Sequence, residues 1–116
     1  MVDQDCIFCK IVKGEIPCTK VYEDDVCLAF EDLNPASPVH ILIVPKEHYA
    51  NVADNVPNEV LGHLLQVAPE VAKIKGIDQA GYRISINTGD DGGQTVHHLH
   101  VHVNGGAKLY CGRLDI

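Results

Sequence analysis

The sequence predicts an α+β fold: a mainly antiparallel sheet with helices packed against one of its faces. Three observations carry that expectation. Strand-like runs succeed one another between residues 19 and 44 with only turns or short loops between them. One long segment, residues 57–75, repeats its apolar side chains at helical spacing. Two further strand-like runs follow it, so the element order is α, β, β, β, α, β, β with short connections.

Each element has a local cause. Residues 6–13, CIFCKIVK, suit a short helix stopped by Gly14 just past its end and by Pro17 beyond. Residues 19–22 and 26–31 are close enough to form a hairpin around the acidic turn Glu23-Asp24-Asp25. A third strand is expected over residues 39–44, after the two-proline loop DLNPASP at 32–38. In the long segment Val60, Leu61, Leu64, Leu65, Ala68, Val71 and Ala72 share one helical face. Pro57 suits its first turn and Gly76 its stop. Pro69 conflicts with it, since an internal proline removes a hydrogen bond and crowds the preceding turn at a cost of ~3 kcal/mol. One kinked helix is expected, with a break near residue 68 as the alternative. Residues 81–87, GYRISIN, alternate as a strand does. The loop TGDDGGQ follows at 88–94, and residues 96–103 form the expected last strand.

A chain of 116 residues is expected to be a single domain spanning 1–116. Its net charge of −7 and lack of a basic cluster oppose nucleic-acid binding. No apolar run approaches the ~18–20 residues that span a bilayer, so no membrane partner is expected. The opening MVDQDCIFCK has neither a basic nor an apolar leader region. Five cysteines, Cys6, Cys9, Cys18, Cys27 and Cys111, are irregularly spaced and odd in number. That pattern argues for free thiols and a cytoplasmic setting.

Chemistry concentrates in GQTVHHLHVHVNGG, residues 93–106. On a strand, His98, His100 and His102 leave one face while Leu99, Val101 and Val103 leave the other, toward a core. Three readings compete for the row. It could be a solvated polar face, although three imidazoles are an odd choice for that. It could bind zinc through a His-x-His pair. It could be catalytic, with imidazole as nucleophile or proton carrier near neutral pH. The neighbouring GDDGGQT favours the last, because glycine turns can present consecutive amides to a phosphate. The pair Cys6 and Cys9 has the spacing of a zinc half-site, which is weak evidence when it stands alone. His63, on the long helix, is expected to be solvent-exposed.

The alternating pattern from His98 to Asn104 resembles the signature of the histidine-triad (HIT) superfamily of nucleotide hydrolases and transferases. So do CIFCKIVKGEIP, EDDVCLAFEDLNPASPVHILIVPKEH and GYRISINTGDDGGQTVHHLHVHVNGG, in that order, which are similar to its HINT branch. The resemblance implies a five-stranded antiparallel sheet with two helices, joined across a homodimer into one ten-stranded sheet. It implies hydrolysis at the α-phosphorus of purine nucleotide (AMP or GMP) phosphoramidates, through a nucleotidyl-histidine intermediate.

Position by position, the resemblance makes His100 the nucleophile, with its tautomer fixed by the backbone carbonyl of His98. His102 becomes a donor to the phosphate, and Thr95 lies near the leaving group. His40 and Asn87, with the glycine-turn residues Gly93 and Gln94, line the phosphate site. Asp32 binds the ribose hydroxyls, and Ile7, Phe8, Ile11, Phe30 and Leu33 enclose the base. Some relatives also hold a structural zinc with the counterparts of Cys6, Cys9, His48 and His98, and no metal takes part in the family's phosphate chemistry. Other readings remain: a dinucleoside polyphosphate hydrolase of the same superfamily, a zinc-dependent hydrolase with the three histidines as ligands, and a nucleotide-binding sensor with negligible turnover. The tail AKLYCGRLDI does not resemble the HINT tail.

Overall fold

A computed structural model describes residues 5–109. Its elements are α1 (Ile7–Val12), β1 (Lys20–Glu23), β2 (Cys27–Glu31), β3 (Val39–Pro45), α2 (Asn58–Ile74), β4 (Tyr82–Ser85) and β5 (Val101–Gly105). The five strands form one sheet in the order β1-β2-β3-β5-β4, with every pairing antiparallel. The expected class, strand number and helix number are all present. No helix among the described residues is long and apolar enough to cross a membrane.

Placement of the helices corrects one expectation, because they lie on opposite faces of the sheet. Cys27, Ala29, Ile41, Ile43, Leu99, Val101 and Val103 pack with Leu64, Val67, Ala68, Val71 and Ala72 of α2. The alternate residues Leu28, Phe30, Leu42 and Val44 pack instead with Phe8 of α1. Central strands β2 and β3 are therefore buried on both sides, which is why they read as continuous apolar runs. Leu64 is fully buried in the larger cluster. Leu64→Ala is expected to lower stability by about 2–5 kcal/mol, read as a reduced urea midpoint at unchanged slope. A change below about 1 kcal/mol would contradict this packing.

Helix α2 runs unbroken through Pro69. Proline removes the bond to the Leu65 carbonyl, but both residues lie on the exposed side, where water can satisfy that oxygen. The β1–β2 turn is built by Asp24, whose Oδ1 accepts from Val26 N at 2.8 Å and Cys27 N at 2.9 Å. Its Oδ2 accepts from Tyr22 at 2.8 Å and lies 2.6 Å from His63 Nε2. Contrary to expectation, His63 is half-buried and ties α2 to the hairpin.

The last strand is shorter than expected. Pairing of β3 with β5 ends at Ile43↔Val101, and residues 96–100 run outside the ladder. Two residues further the partner is Pro45, which has no N–H to donate. The segment is held instead by Leu99 N donating to Tyr49 O at 2.7 Å. Alternation survives this change: Leu99, Val101 and Val103 enter the α2 core, and the histidines face α1.

Candidate functional site

A cleft of about 420 Å³ opens on the α1 face of the sheet. Its apolar end is lined by Ile7, Phe8, Ile11, Phe30 and Leu33, with Asp32 beside them. Thr95, His100 and His102 line its polar end. Seven further lining residues were not expected from the sequence: Ile16, Pro17, Cys18, Glu31, Asn34, Leu42 and Val96. Cys18 and the turn before it follow the α1 stop, so only the three-dimensional return of that turn over β2 could have revealed them. Leu33 is 91% exposed and Ile7 47% exposed, so the apolar end has large side chains ready to be covered by a flat group.

His100 stands at the junction of the two ends. It is 6% exposed, and Phe8 packs edge-on against its ring at a centroid distance of 5.1 Å. Its Nδ1 donates to the carbonyl of His98 at 2.7 Å, so the lone pair lies on Nε2. Burial pushes this imidazole below the ordinary histidine range, outweighing the bond to His98, and the ring is neutral. A neutral imidazole with its proton fixed on one nitrogen has the form a nucleophile needs.

His102 pairs across the sheet with Leu42, and His40 pairs with Asn104, so the two histidines are diagonal neighbours on one face. Their rings meet, with His40 Nε2 2.9 Å from His102 Nδ1. Burial, reinforced by His100 and His40, pushes the His102 ring down to about 4. His40 lies behind His102 and does not line the cleft. Asp32 Oδ1 accepts from Asn34 N at 2.9 Å, an Asx turn that sets the carboxylate at the cleft edge.

The glycine loop departs from expectation. Gly93 N donates to Asp90 O and Gln94 N to Gly89 O, both at 3.0 Å. The Gln94 side chain donates to Ala50 O at 2.7 Å and Val96 O at 3.1 Å, and accepts from Gly89 N at 3.0 Å. The backbone N–H groups of Gly93 and Gln94 are thus engaged inside the loop and the side-chain N–H groups of Gln94 bind carbonyls flanking it, and neither residue lines the cleft. Asn87 is half-buried and also lies outside the lining. Glycine is needed here for compactness: a Cβ on Gly92 would sit 2.4 Å from Thr88 O. Thr95, which follows this loop, does reach the cleft.

His98 turns away from His100 and His102. Its Nε2 donates to Pro45 O at 2.9 Å, leaving a lone pair on Nδ1. Burial pushes the ring down to about 4, so it is neutral. That lone pair faces Cys6 Sγ at 3.3 Å, Cys9 Sγ at 3.5 Å and His48 Nδ1 at 3.2 Å. His48 Nδ1 is also 3.2 Å from Cys9 Sγ. All four ligand atoms lie within 4.8 Å of one another. Zn–S bonds of about 2.3 Å and Zn–N bonds of about 2.0–2.1 Å, set tetrahedrally, separate ligand atoms by roughly 3.3–3.8 Å. Two nitrogens and two sulfurs converging at this spacing suit such an ion. The other metal arrangement, with His98, His100 and His102 around one ion, is not what the rings form. Among the described residues Cys6, Cys9, Cys18 and Cys27 form no disulfide with one another, and Cys111 lies outside the described residues.

This fold recurs in known proteins. A histidine triad protein from Clostridium difficile is 52% identical, with a TM-score of 0.92 over 97% of this chain and 100% of its own. A HIT family hydrolase from Legionella pneumophila Philadelphia 1 is 42% identical, with a TM-score of 0.89 over 93% of this chain and 98% of its own. The 14 kDa zinc-binding protein of Zea mays is 49% identical over 92% of this chain and 86% of its own length. Residues 13–109 match the HIT domain, a span that takes in the whole sheet, the cleft histidines and His48, and the chain belongs to the HIT family.

Proposed function

We propose that the protein is a purine nucleoside phosphoramidase: it cleaves the P–N bond between a nucleoside monophosphate and an amine, releasing AMP or GMP. The observation that carries this reading is the His100 ring, with Nδ1–H fixed on the His98 carbonyl at a cleft whose other end is apolar. In this reading the base lies among Ile7, Phe8, Ile11, Phe30 and Leu33, and Asp32 accepts from the ribose hydroxyls. His100 Nε2 attacks phosphorus, the P–N bond breaks, and the departing amine takes a proton from solvent at the cleft mouth beside Thr95. Water then attacks phosphorus and gives up a proton, while the electron pair of the new P–N bond returns to His100. Splitting the displacement this way replaces one difficult step by two easier ones.

Zinc has a separate place in the proposal. Cys6, Cys9, His48 and His98 would hold it as a structural ion that clamps α1 to the strand end at Pro45. Because α1 also supplies Ile7, Phe8 and Ile11, that clamp supports the base end of the cleft.

Dimerisation is supported by the sheet edges. β1 carries charged Lys20 and Glu23 and an irregularity at Lys20/Tyr22, features that discourage edge pairing. β4 is the opposite edge and presents Ile84, 39% exposed. Two copies joined through this side would make the ten-stranded sheet. The reading is tested by offering adenosine and guanosine phosphoramidates beside diadenosine polyphosphates. Faster turnover of the phosphoramidates is expected, and preference for the polyphosphates would transfer the assignment to that second hydrolase class.

A further inference from the structure

Behind the cleft wall, the loop at residues 32–38 is pinned in a way the hydrolytic reading does not use. Pro35 and Pro38 flank Ala36 and Ser37. Ser37 Oγ donates to Val39 O at 2.5 Å and accepts from Asn104 Nδ2 at 3.0 Å, which ties the loop to β3 and β5. In that position Ala36 N donates to His40 Nδ1 at 3.0 Å.

A backbone amide can only donate, so His40 Nδ1 has to carry a lone pair and its single proton sits on Nε2. The 3.5 Å contact of His40 Nε2 with Asp32 Oδ2 is therefore a long secondary contact of a neutral ring. The nearer acceptor is His102 Nδ1, at 2.9 Å. His102 then keeps its own proton on Nε2. Among the described residues, that Nε2 is the buried side-chain polar atom left without a partner, and its ring lines the cleft.

The geometry points to a tautomer relay: the Ala36 main-chain amide, acting through His40, fixes His102 as an Nε2–H donor for a phosphoryl oxygen. The role of that oxygen rests on the nucleotide reading above. Two histidines sharing one hydrogen bond have two registers, and Ala36 selects between them. In the reverse register His40 Nδ1–H would face the Ala36 N–H, donor against donor. His102 would then offer a lone pair to an anionic oxygen. A buried donor lacking a partner is unfavourable, and an arriving oxygen relieves it without reorganisation. No proton moves, so Ala36 and His40 are positioning groups.

Ring ¹⁵N spectra of the full-length protein test the relay directly. His40 and His102 are expected as Nε2–H tautomers and His100 as Nδ1–H. Ala36→Pro removes the amide proton and is expected to give mixed tautomers at His40 and His102 with His100 unchanged. In the same variant kcat on an adenosine phosphoramidate falls about three- to tenfold, the size of one neutral hydrogen bond, with KM within about twofold. Should that variant fail to fold, His40→Leu is expected to give the mixture at His102. His40→Gln, which can still donate to His102 Nδ1, is expected to restore the Nε2–H form and most of kcat. A wild-type His102 protonated on Nδ1, or spectra unmoved by Ala36→Pro and by His40→Leu, would overturn the relay. The spectra need no ligand, so assigned tautomers alongside absent AMP binding would count against the nucleotide reading and leave the relay standing.

Discussion

His100→Ala is expected to bring hydrolysis of an adenosine phosphoramidate below about one per cent of wild type, because an essential nucleophile contributes several orders of magnitude. AMP affinity should stay within a few-fold. The side chain removed is one ring at the junction of the cleft, while the apolar end and Asp32 are untouched. Binding and turnover therefore separate, which is the signature of a group used in the transition state rather than in ground-state recognition. Isothermal titration with AMP and steady-state assays on the same preparation check both halves. Residual turnover of ten per cent would mean that another group attacks phosphorus.

Removing the zinc proposed for the Cys6, Cys9, His48 and His98 cluster is expected to act on stability rather than on the chemical step. An ion held by Cys6, Cys9, His48 and His98 binds only the folded chain with this geometry. At a free concentration of 1,000 times its Kd it stabilises by about 4 kcal/mol, and so raises Tm by on the order of 10–20 °C in a domain of this size. Exhaustive chelation should lower Tm by that amount, and metal analysis of Cys9→Ser should show the loss of bound zinc. At a temperature where the metal-free protein is still folded, turnover should persist with a raised KM, since α1 carries both Cys9 and the base-side residues Ile7, Phe8 and Ile11. A folded, chelated protein with no turnover would put zinc in the reaction. An unchanged Tm would remove zinc from the site.

How far the sequence could be read depended on what kind of interaction set each feature. Class, strand order along the chain and both helices followed from local patterns: the acidic hairpin turn, the apolar stripe of α2, the glycine stops. The side of the sheet on which α1 packs was not legible, because β2 and β3 are apolar on both faces and their alternation is hidden. The end of β5 was likewise set by a residue distant in sequence, Pro45, which closes the ladder opposite Leu99. His63 read as a lone polar residue on a helix, since its partner Asp24 lies in a turn 39 positions away.

At the site, spacing placed His98, His100 and His102 on one face but could not show that His98 turns toward the two cysteines. The Cys-x-x-Cys pair was a weak signal until His48 and His98 arrived beside it from two other parts of the chain. The glycine loop misled in an instructive way. Gly-Gly-Gln suggested free amides for an anion, whereas the amides at Gly93 and Gln94 close the loop on itself. The main-chain group that does reach toward the histidines, Ala36 N, belongs to a residue whose own methyl side chain gives no signal of such a role.

The central claim is that the nucleotide becomes bonded to His100 during turnover. Rapid quenching of a single-turnover reaction, followed by peptide mass analysis under conditions that preserve phosphorus–nitrogen bonds, measures it directly. The expected result is a nucleotidyl adduct on the peptide carrying His100, formed and lost at rates compatible with kcat. A nucleotide on any other residue, or turnover with no protein-bound nucleotide at any time, would contradict the account.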